Sequence, residues 1–411
     1  MAPFEGENAT TTVEYEPVSV KDLLVEMKDT SELLIDLAYS AVLHNSEAIA
    51  AEVVRLESKM DVLRMRARMS ILMAGRSPSD AEALAPVLGI VGGAEKISNA
   101  AGDIAKIVLE EIGLPDAMRA ALPDAVETLV RGEVLATSAY VDRTLEDINL
   151  ETETGVRVIA IRRGDDWYMN PGPETTLRAD DSVLLRGPEN TVWEVYETLG
   201  GESYEPPADA EPGLPDLERA VDSIVLMKNL SELAVDLAYG AVLFDNADLA
   251  EEVQNLEVEV DALQSRFEAW TLRAAAETDD PITLRGLIRL GISTEVISDA
   301  AVEISEGVMR DIEVHPVVEL AVQESDEIIV RAAVDPGSDL DGMGLVEGVP
   351  GDELGMNVIA IRRPEEGWTV TPDVDTVLRA GDVLIAKGTR ASAAQFQRLA
   401  GMDESEIEVL E

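Results

Sequence analysis

The 411-residue chain has no cysteine, only two histidines (His44 and His315), and 32 basic residues against 82 acidic ones. Without a thiol there is no disulfide framework, no thiolate metal site and no cysteine nucleophile, and the redox compartment stays open. Neither histidine has a second at ligand spacing, so no imidazole-based site is expected. No apolar run approaches the ~20 residues that cross a bilayer, and the amino end lacks a charged region followed by an apolar one. This reads as a soluble, cytoplasmic protein that does not itself span a membrane. No Ser-His-Asp arrangement or Walker loop is present, so an enzyme is not expected. The bases comprise 25 arginines and seven lysines, and the formal charge is −50. Nucleic acid is excluded as a partner, because its binding depends on neutralising phosphates. A surface of one sign repels itself in dilute buffer, whereas molar salt shortens the screening length to about 3 Å. The composition is that of a halophilic protein.

What the chain does contain is itself, twice. Shifting the sequence by 200 positions superimposes MKDTSELLIDLAYSAVL (Met27–Leu43) on MKNLSELAVDLAYGAVL (Met227–Leu243), with 12 of 17 residues identical. The same offset places VIAIRR at Val158–Arg163 and again at Val358–Arg363. After Arg363 the register slips by one, so that Trp167 answers to Trp368 and Asp181 to Asp382. The chain is a tandem duplication of a two-part unit.

The first part of each unit carries apolar residues at helical spacing, Leu56, Met60 and Leu63, then Leu256, Val260 and Leu263, which sets them on one helix face. Three helices are predicted per copy, over 18–44, 46–74 and 79–112, and over 217–244, 246–277 and 280–312. The third opens on SPSD or DDP, with Ser or Asp as cap and Pro281 in the first turn. In the second part VRVIAIRR and SVLLRG, then MNVIAIRR and DVLIAKG, are β-rich runs bounded by turn residues. The chain divides into a mobile tail over 1–17, a helical bundle over 18–124, a module over 125–200, an acidic Pro-rich linker over 201–216, a bundle over 217–324 and a module over 325–411. The fold class is α+β: two three-helix bundles alternate with two small α/β sandwich modules, and an internal pseudo-twofold is expected to bring the bundles into a six-helix unit and the modules together.

The helical parts resemble the PhoU family, through ESKMD and EVEVD and then EKISN and EVISD, an acid followed after three residues by Asp or Asn. The modules resemble the TrkA C-terminal (RCK C-terminal) domain. GMNVIAIRRPEEGWTVTPDVDTVLRAGDVLIAKG and its twin GVRVIAIRRGDDWYMNPGPETTLRADDSVLLRG carry that pattern of glycine, strand, turn, Leu, turn and a second strand ending in Gly. Proteins with this module often place a Rossmann domain before it. Here no Gly-rich fingerprint follows a strand, and GIVGGAEK (Gly89–Lys96) lies inside helical sequence, so a PhoU-like bundle stands where the dinucleotide site would be.

The PhoU resemblance implies oxygen ligands for Mg²⁺ or a transition metal: Glu57, Asp61, Glu95 and Asp103 in the first copy, and Glu257, Asp261, Glu295, Asp299 and Glu303 in the second. Asn99 stands where an acid is expected, which puts the second set ahead. The alternative is solvated surface, because acidic pairs are common at this composition. The TrkA-C resemblance implies modules that pair across a twofold axis and hold cyclic di-AMP or another nucleotide, with Arg162, Arg163, Arg362 and Arg363 as the phosphate-binding candidates. Neighbouring strand residues point to opposite faces, so at most one of each pair lines a given surface. Ion pairs with the abundant acids are the alternative. Trp167 and Trp368 are expected to cover module cores, and Asp181 and Asp382 to form turns.

Together the resemblances imply a regulator of potassium transport of haloarchaeal type, acting on a membrane channel or transporter subunit, with a homodimer as one oligomeric option. The alternative is a phosphate-signalling adaptor that binds a metal and a kinase or phosphate transporter.

Overall fold

The computed structural model describes residues 19–115, 128–150, 154–164, 166–169, 171–187, 189–200, 214–278, 280–310, 312, 327–345, 356–364, 366–370, 372 and 375–402. The tail expected over 1–17, most of the linker and His315 lie outside them.

In the first copy α1 (Val20–Leu43) and α2 (Glu47–Ala74) form a hairpin. Ser19 and Ser46 cap them by accepting from the backbone N–H of Asp22 and Ile49, which satisfies donors with no helical partner. Between them Asn45 adopts φ 46°, and Asp245 adopts φ 48° at the matching place. Asn and Asp tolerate this left-handed region better than other non-glycine residues. The predicted third helix is divided: α3 (Pro78–Ala83), capped by Ser77, is followed by α4 (Ala85–Leu109). The break comes at Leu84, which is buried, just before Pro86, whose missing N–H suits a first helical turn.

A four-stranded sheet follows, of β1 (Thr128–Glu133), β2 (Arg157–Arg163), β3 (Asp166–Met169) and β4 (Ser182–Gly187), with a short α5 (Leu145–Ile148) after β1 and a closing α6 (Glu189–Gly200). The second copy repeats this as α7 (Pro215–Leu243), α8 (Ala247–Glu277), a 3₁₀ turn (Pro281–Leu284), α9 (Arg285–Met309), β5 (Glu327–Ala333), β6 (Met356–Arg363), β7 (Gly367–Val370), β8 (Val383–Thr389) and α10 (Arg390–Ala400). Both sheets are antiparallel, in the orders β1-β4-β2-β3 and β5-β8-β6-β7. The VIAIRR hexapeptides are thus interior strands. A bulge between Val158 and Ala160, repeated between Val358 and Ala360, resets the alternation, so that Ala160 faces the helices while Val158 and Ile161 face α6.

One continuous core runs through both bundles and takes in the helix-facing residues Leu129, Ala160, Leu184, Ala360 and Ile385 of the sheets. Each module keeps its own smaller core between its sheet and its last helix. The bundles join through α4 and α9, which run antiparallel and close together. Glycines make that approach possible, and this is the role of GIVGG in a helix. A Cβ at Gly93 would lie 2.4 Å from Ile304 Cγ1 and 2.8 Å from the Ala300 carbonyl oxygen, and one at Gly307 would lie 2.5 Å from Pro86 Cβ. The six-helix unit about a pseudo-twofold is therefore present. Among the described residues each sheet is separate, with no strand of one paired to a strand of the other. Each is seated on its own bundle and keeps its own core, so the expected joining of the two modules is not seen among the described residues.

Candidate functional site

The helix-facing side of each sheet carries two arginines, and the facing helix carries one glutamate. Glu52 of α2 falls among Ile49, Val53 and Leu56 on the buried face, and its side chain is 1 % exposed. Arg162 of β2 grips it at two points, Nε to Oε2 at 2.7 Å and Nη2 to Oε1 at 2.8 Å. Arg131 of β1 adds Nε to Oε1 at 3.1 Å, and both guanidinium groups donate to Ser182 Oγ. In the second copy Arg362 donates to Glu252 at 2.8 and 2.6 Å and Arg331 at 2.9 Å. Burial alone would push both glutamates up. Hydrogen bonds and charge from Arg162, helped by Arg55 and Arg131, outweigh it at Glu52; Arg362, Arg331 and Asn255 do so at Glu252, and both carboxyls sit below the ordinary range.

The next arginine along each strand points away from the helices, as strand alternation requires. Arg163 holds Asp181 through two contacts of 2.8 Å and donates to the Thr176 carbonyl at 2.9 Å. Asp181 also accepts from the Arg178 backbone N–H at 2.8 Å. Arg363 and Asp382 repeat this at 3.1 and 3.2 Å, with Arg379 N–H donating at 2.9 Å. The aspartates read from sequence as turn formers do bind the turn backbone, and they also anchor an arginine. All four ligand candidates are thus held by carboxylates within the chain, Arg162 and Arg362 between sheet and bundle, Arg163 and Arg363 inside their modules.

Sequence reasoning missed Glu52, Glu252, Arg131 and Arg331. The signal was available: each pair repeats at the 200-residue offset, and each glutamate interrupts an apolar helix stripe, where a charge is rare unless paired.

A second meeting point lies where α1 and α7 cross at the pseudo-twofold. Tyr39 Oη lies 2.7 Å from Thr294 Oγ1 and Tyr239 donates to Ser31 Oγ at 3.4 Å. Lys28 stands over the Tyr239 ring and Lys228 over that of Tyr39. These lysines pair with Glu32 and Glu232. From the sheets, Arg186 of β4 pairs with Asp36, and Lys387 of β8 acts on Asp236. Burial, then the charge of Glu32, pushes Asp236 up to about 7 despite Lys387 and Lys28.

The helical acids behave differently in the two copies. In the first, Glu95 is taken by Arg64 and Arg68, Asp61 lies 3.1 Å from Arg64 and Asp103 lies 3.0 Å from Lys106. Glu57 packs on Gly102, and burial, with Asp61 and Asp103 against Lys106, raises its carboxyl. In the second copy Glu257 and Glu295 are each raised, by burial and then by the charges of Asp261 and Asp299. Glu303 is drawn away to Lys96 of α4, at 2.7 Å. Among the described residues no group of three or more acids or histidines is gathered closely enough to hold a metal ion.

Two family profiles match this arrangement: the PhoU domain over residues 24–108 and 224–308, and the TrkA-C domain over residues 129–200 and 329–401. The chain is a duplicated PhoU and TrkA-C protein, built from two families of regulatory rather than catalytic domains. No curated protein matches it. Among solved structures it is similar to the RCK C domain of the potassium transport protein KtrA in complex with cyclic diadenosine monophosphate, at 22 % identity over 17 % of this chain and 81 % of that one, TM-score 0.16. It is also similar to PhoU from Pseudomonas aeruginosa, at 15 % identity over 74 % and 96 %, TM-score 0.37. A third is the GsuK RCK domain, at 14 % identity over 67 % and 64 %, TM-score 0.18. No helix among the described residues is long and apolar enough to cross a membrane.

Proposed function

We propose that the chain is a cytoplasmic regulator of potassium transport, in which a small ligand bound by the TrkA-C modules changes what the PhoU helices present to a membrane channel or transporter subunit. The observation that carries this reading is the duplicated clamp, Arg131–Glu52–Arg162 and Arg331–Glu252–Arg362. A buried carboxylate gripped by two strands ties sheet movement to α2 and α8, so a ligand that favours one sheet position biases the helical layer. The TrkA-C family supplies the ligand class, cyclic di-AMP or another nucleotide. Arg163 and Arg363 face away from the bundles, but like Arg162 and Arg362 each is held by a buried carboxylate that a phosphate would have to displace.

The test is capture of membrane proteins by the full chain from lysate in molar KCl, with labelled cyclic di-AMP titrated in parallel. Recovery of a potassium pore together with micromolar nucleotide binding is the expected result. Recovery of a phosphate transporter or histidine kinase would replace this reading with that of a phosphate-signalling adaptor. In that second setting a divalent cation would have to draw Glu257, Asp261, Glu295 and Asp299 closer together than they stand among the described residues. Metal analysis after dialysis against molar KCl checks it.

A further inference from the structure

A cavity of about 320 Å³ opens between α1, α2 and the edge strand β3 of the first module. Its apolar wall is Trp167 and Met169 of β3 with Val25 of α1; facing these, Lys21, Asp22, Glu26 and Asp29 come from one side of α1, and Lys59 from α2. Lys59 and Glu26 form an ion pair at 2.9 Å.

Three observations set this cavity apart from ordinary acidic surface. The chain has seven lysines, and two of them line this one cavity. Four of its five charged residues are not repeated: Lys21, Glu26, Asp29 and Lys59 answer to Val221, Leu226, Asn229 and Glu259, whereas Asp22 answers to Asp222 and the clamp residues and the tryptophan are kept. In the second copy the corresponding strand β7 packs on α7, with aliphatic side chains at 221 and 226. The duplicated joint therefore carries aliphatic side chains at two of these positions on one side, and a cavity of mixed charge on the other.

The lining decides the chemistry of its occupant. A plain anion would face three carboxylates, and an apolar molecule would strip water from charged groups without replacing their partners. A molecule with both charges meets both requirements. Its ammonium or quaternary nitrogen would sit against the Trp167 ring beside Glu26 and Asp29, and its carboxylate would be taken by Lys59 and Lys21. The volume is at the low end for ligand sites, which begin at about 300 Å³, so the molecule is small.

We propose that this seam cavity binds a small zwitterionic amine of the amino-acid or betaine class, lodged between the first module and its bundle. The site is separate from the nucleotide reading above and does not rest on it.

Calorimetric titration of the full chain in molar KCl tests the proposal, with glycine betaine as probe and tetramethylammonium, acetate and AMP as comparisons. The expected result is saturable millimolar binding of betaine, with each half-ligand weaker by roughly tenfold or more. Lys59→Met and Trp167→Phe should each weaken it by roughly tenfold, while Trp368→Phe, the matching change in the second copy, leaves it unchanged. Unfolding midpoints of the three variants verify that they are folded. Absence of saturable betaine binding to the unmodified chain, equal affinity for acetate or AMP, or indifference to both Lys59→Met and Trp167→Phe would overturn the proposal.

Discussion

Glu52 and Glu252 show how much one residue carries. Each is a buried charge tolerated because two guanidinium groups surround it. Removing a partner from such a group leaves an uncompensated charge, at a cost of about 3–5 kcal/mol. Glu52→Ala should therefore lower stability by about that amount in molar KCl, measured by denaturant unfolding, and Glu252→Ala by a similar amount. Because their native carboxyls titrate below the usual range, both contribute stability that is present above the ordinary glutamate pKa and lost as pH falls through the depressed value. Glu52→Gln should flatten that acid limb. Asp236 has the opposite sign. Its native carboxyl is raised from 3.8 to about 7, so the folded state binds a proton more readily and gains stability as pH falls from above 7 toward the unfolded value. Lys28 and Glu32 of α1, Glu232 of α7, Arg186 of β4 and Lys387 of β8 act on this position. Asp236→Asn should raise the melting temperature at about pH 8 more than at about pH 6, as scanning calorimetry at the two values would report. An equal shift at both would remove the assignment.

At the scale of elements, the contact between α4 and α9 joins the two copies. Gly93 leaves no room for a side chain against Ile304 and the Ala300 carbonyl, and backbone cannot yield as a flexible side chain does. Gly93→Val should cost about 1–3 kcal/mol or more and loosen the six-helix unit, seen as a larger radius of gyration in small-angle scattering. Gly92→Ala is a milder comparison, since the atoms it would meet are the flexible end of Glu303. The repeated α2 and α8 helices, the Ser77 and Asp280 caps of the third helical segment and the hydrophobic strands were legible from period and turn residues. The division of the third helix was not, because the apolar spacing continues across Leu84 and Leu284, and burial of those leucines at a bend depends on neighbouring helices. The glycines were visible too, but a glycine inside a helix has no single meaning until its neighbour is known.

For the molecule as a whole, a charge of −50 opposes compaction wherever screening is weak. Lowering KCl from molar to about 0.1 M lengthens the screening distance from about 3 to about 10 Å. The chain should lose helical circular dichroism over that range and regain it on adding salt, and stability independent of salt would contradict the halophilic reading. The two interior strands with one spelling serve two joints of one design, since VIAIRR supplies a residue for each module core, a small alanine for close approach to the bundle, and one arginine for each face.

Duplication and the alternation of helical and β-rich parts are properties of local spacing and composition, and the sequence by itself determined them; the two domain families were recognised by the resemblance of their motifs, and the family profiles agree. Tertiary structure decided which acid each arginine meets. It drew Glu95 to Arg64 and Arg68, and Glu303 across to Lys96, and it seated each sheet on its own bundle. The physical reason is that an ion pair is fixed by distance in space and by the burial that removes competing water. Among 82 acids, linear order does not choose between partners that only packing brings within reach.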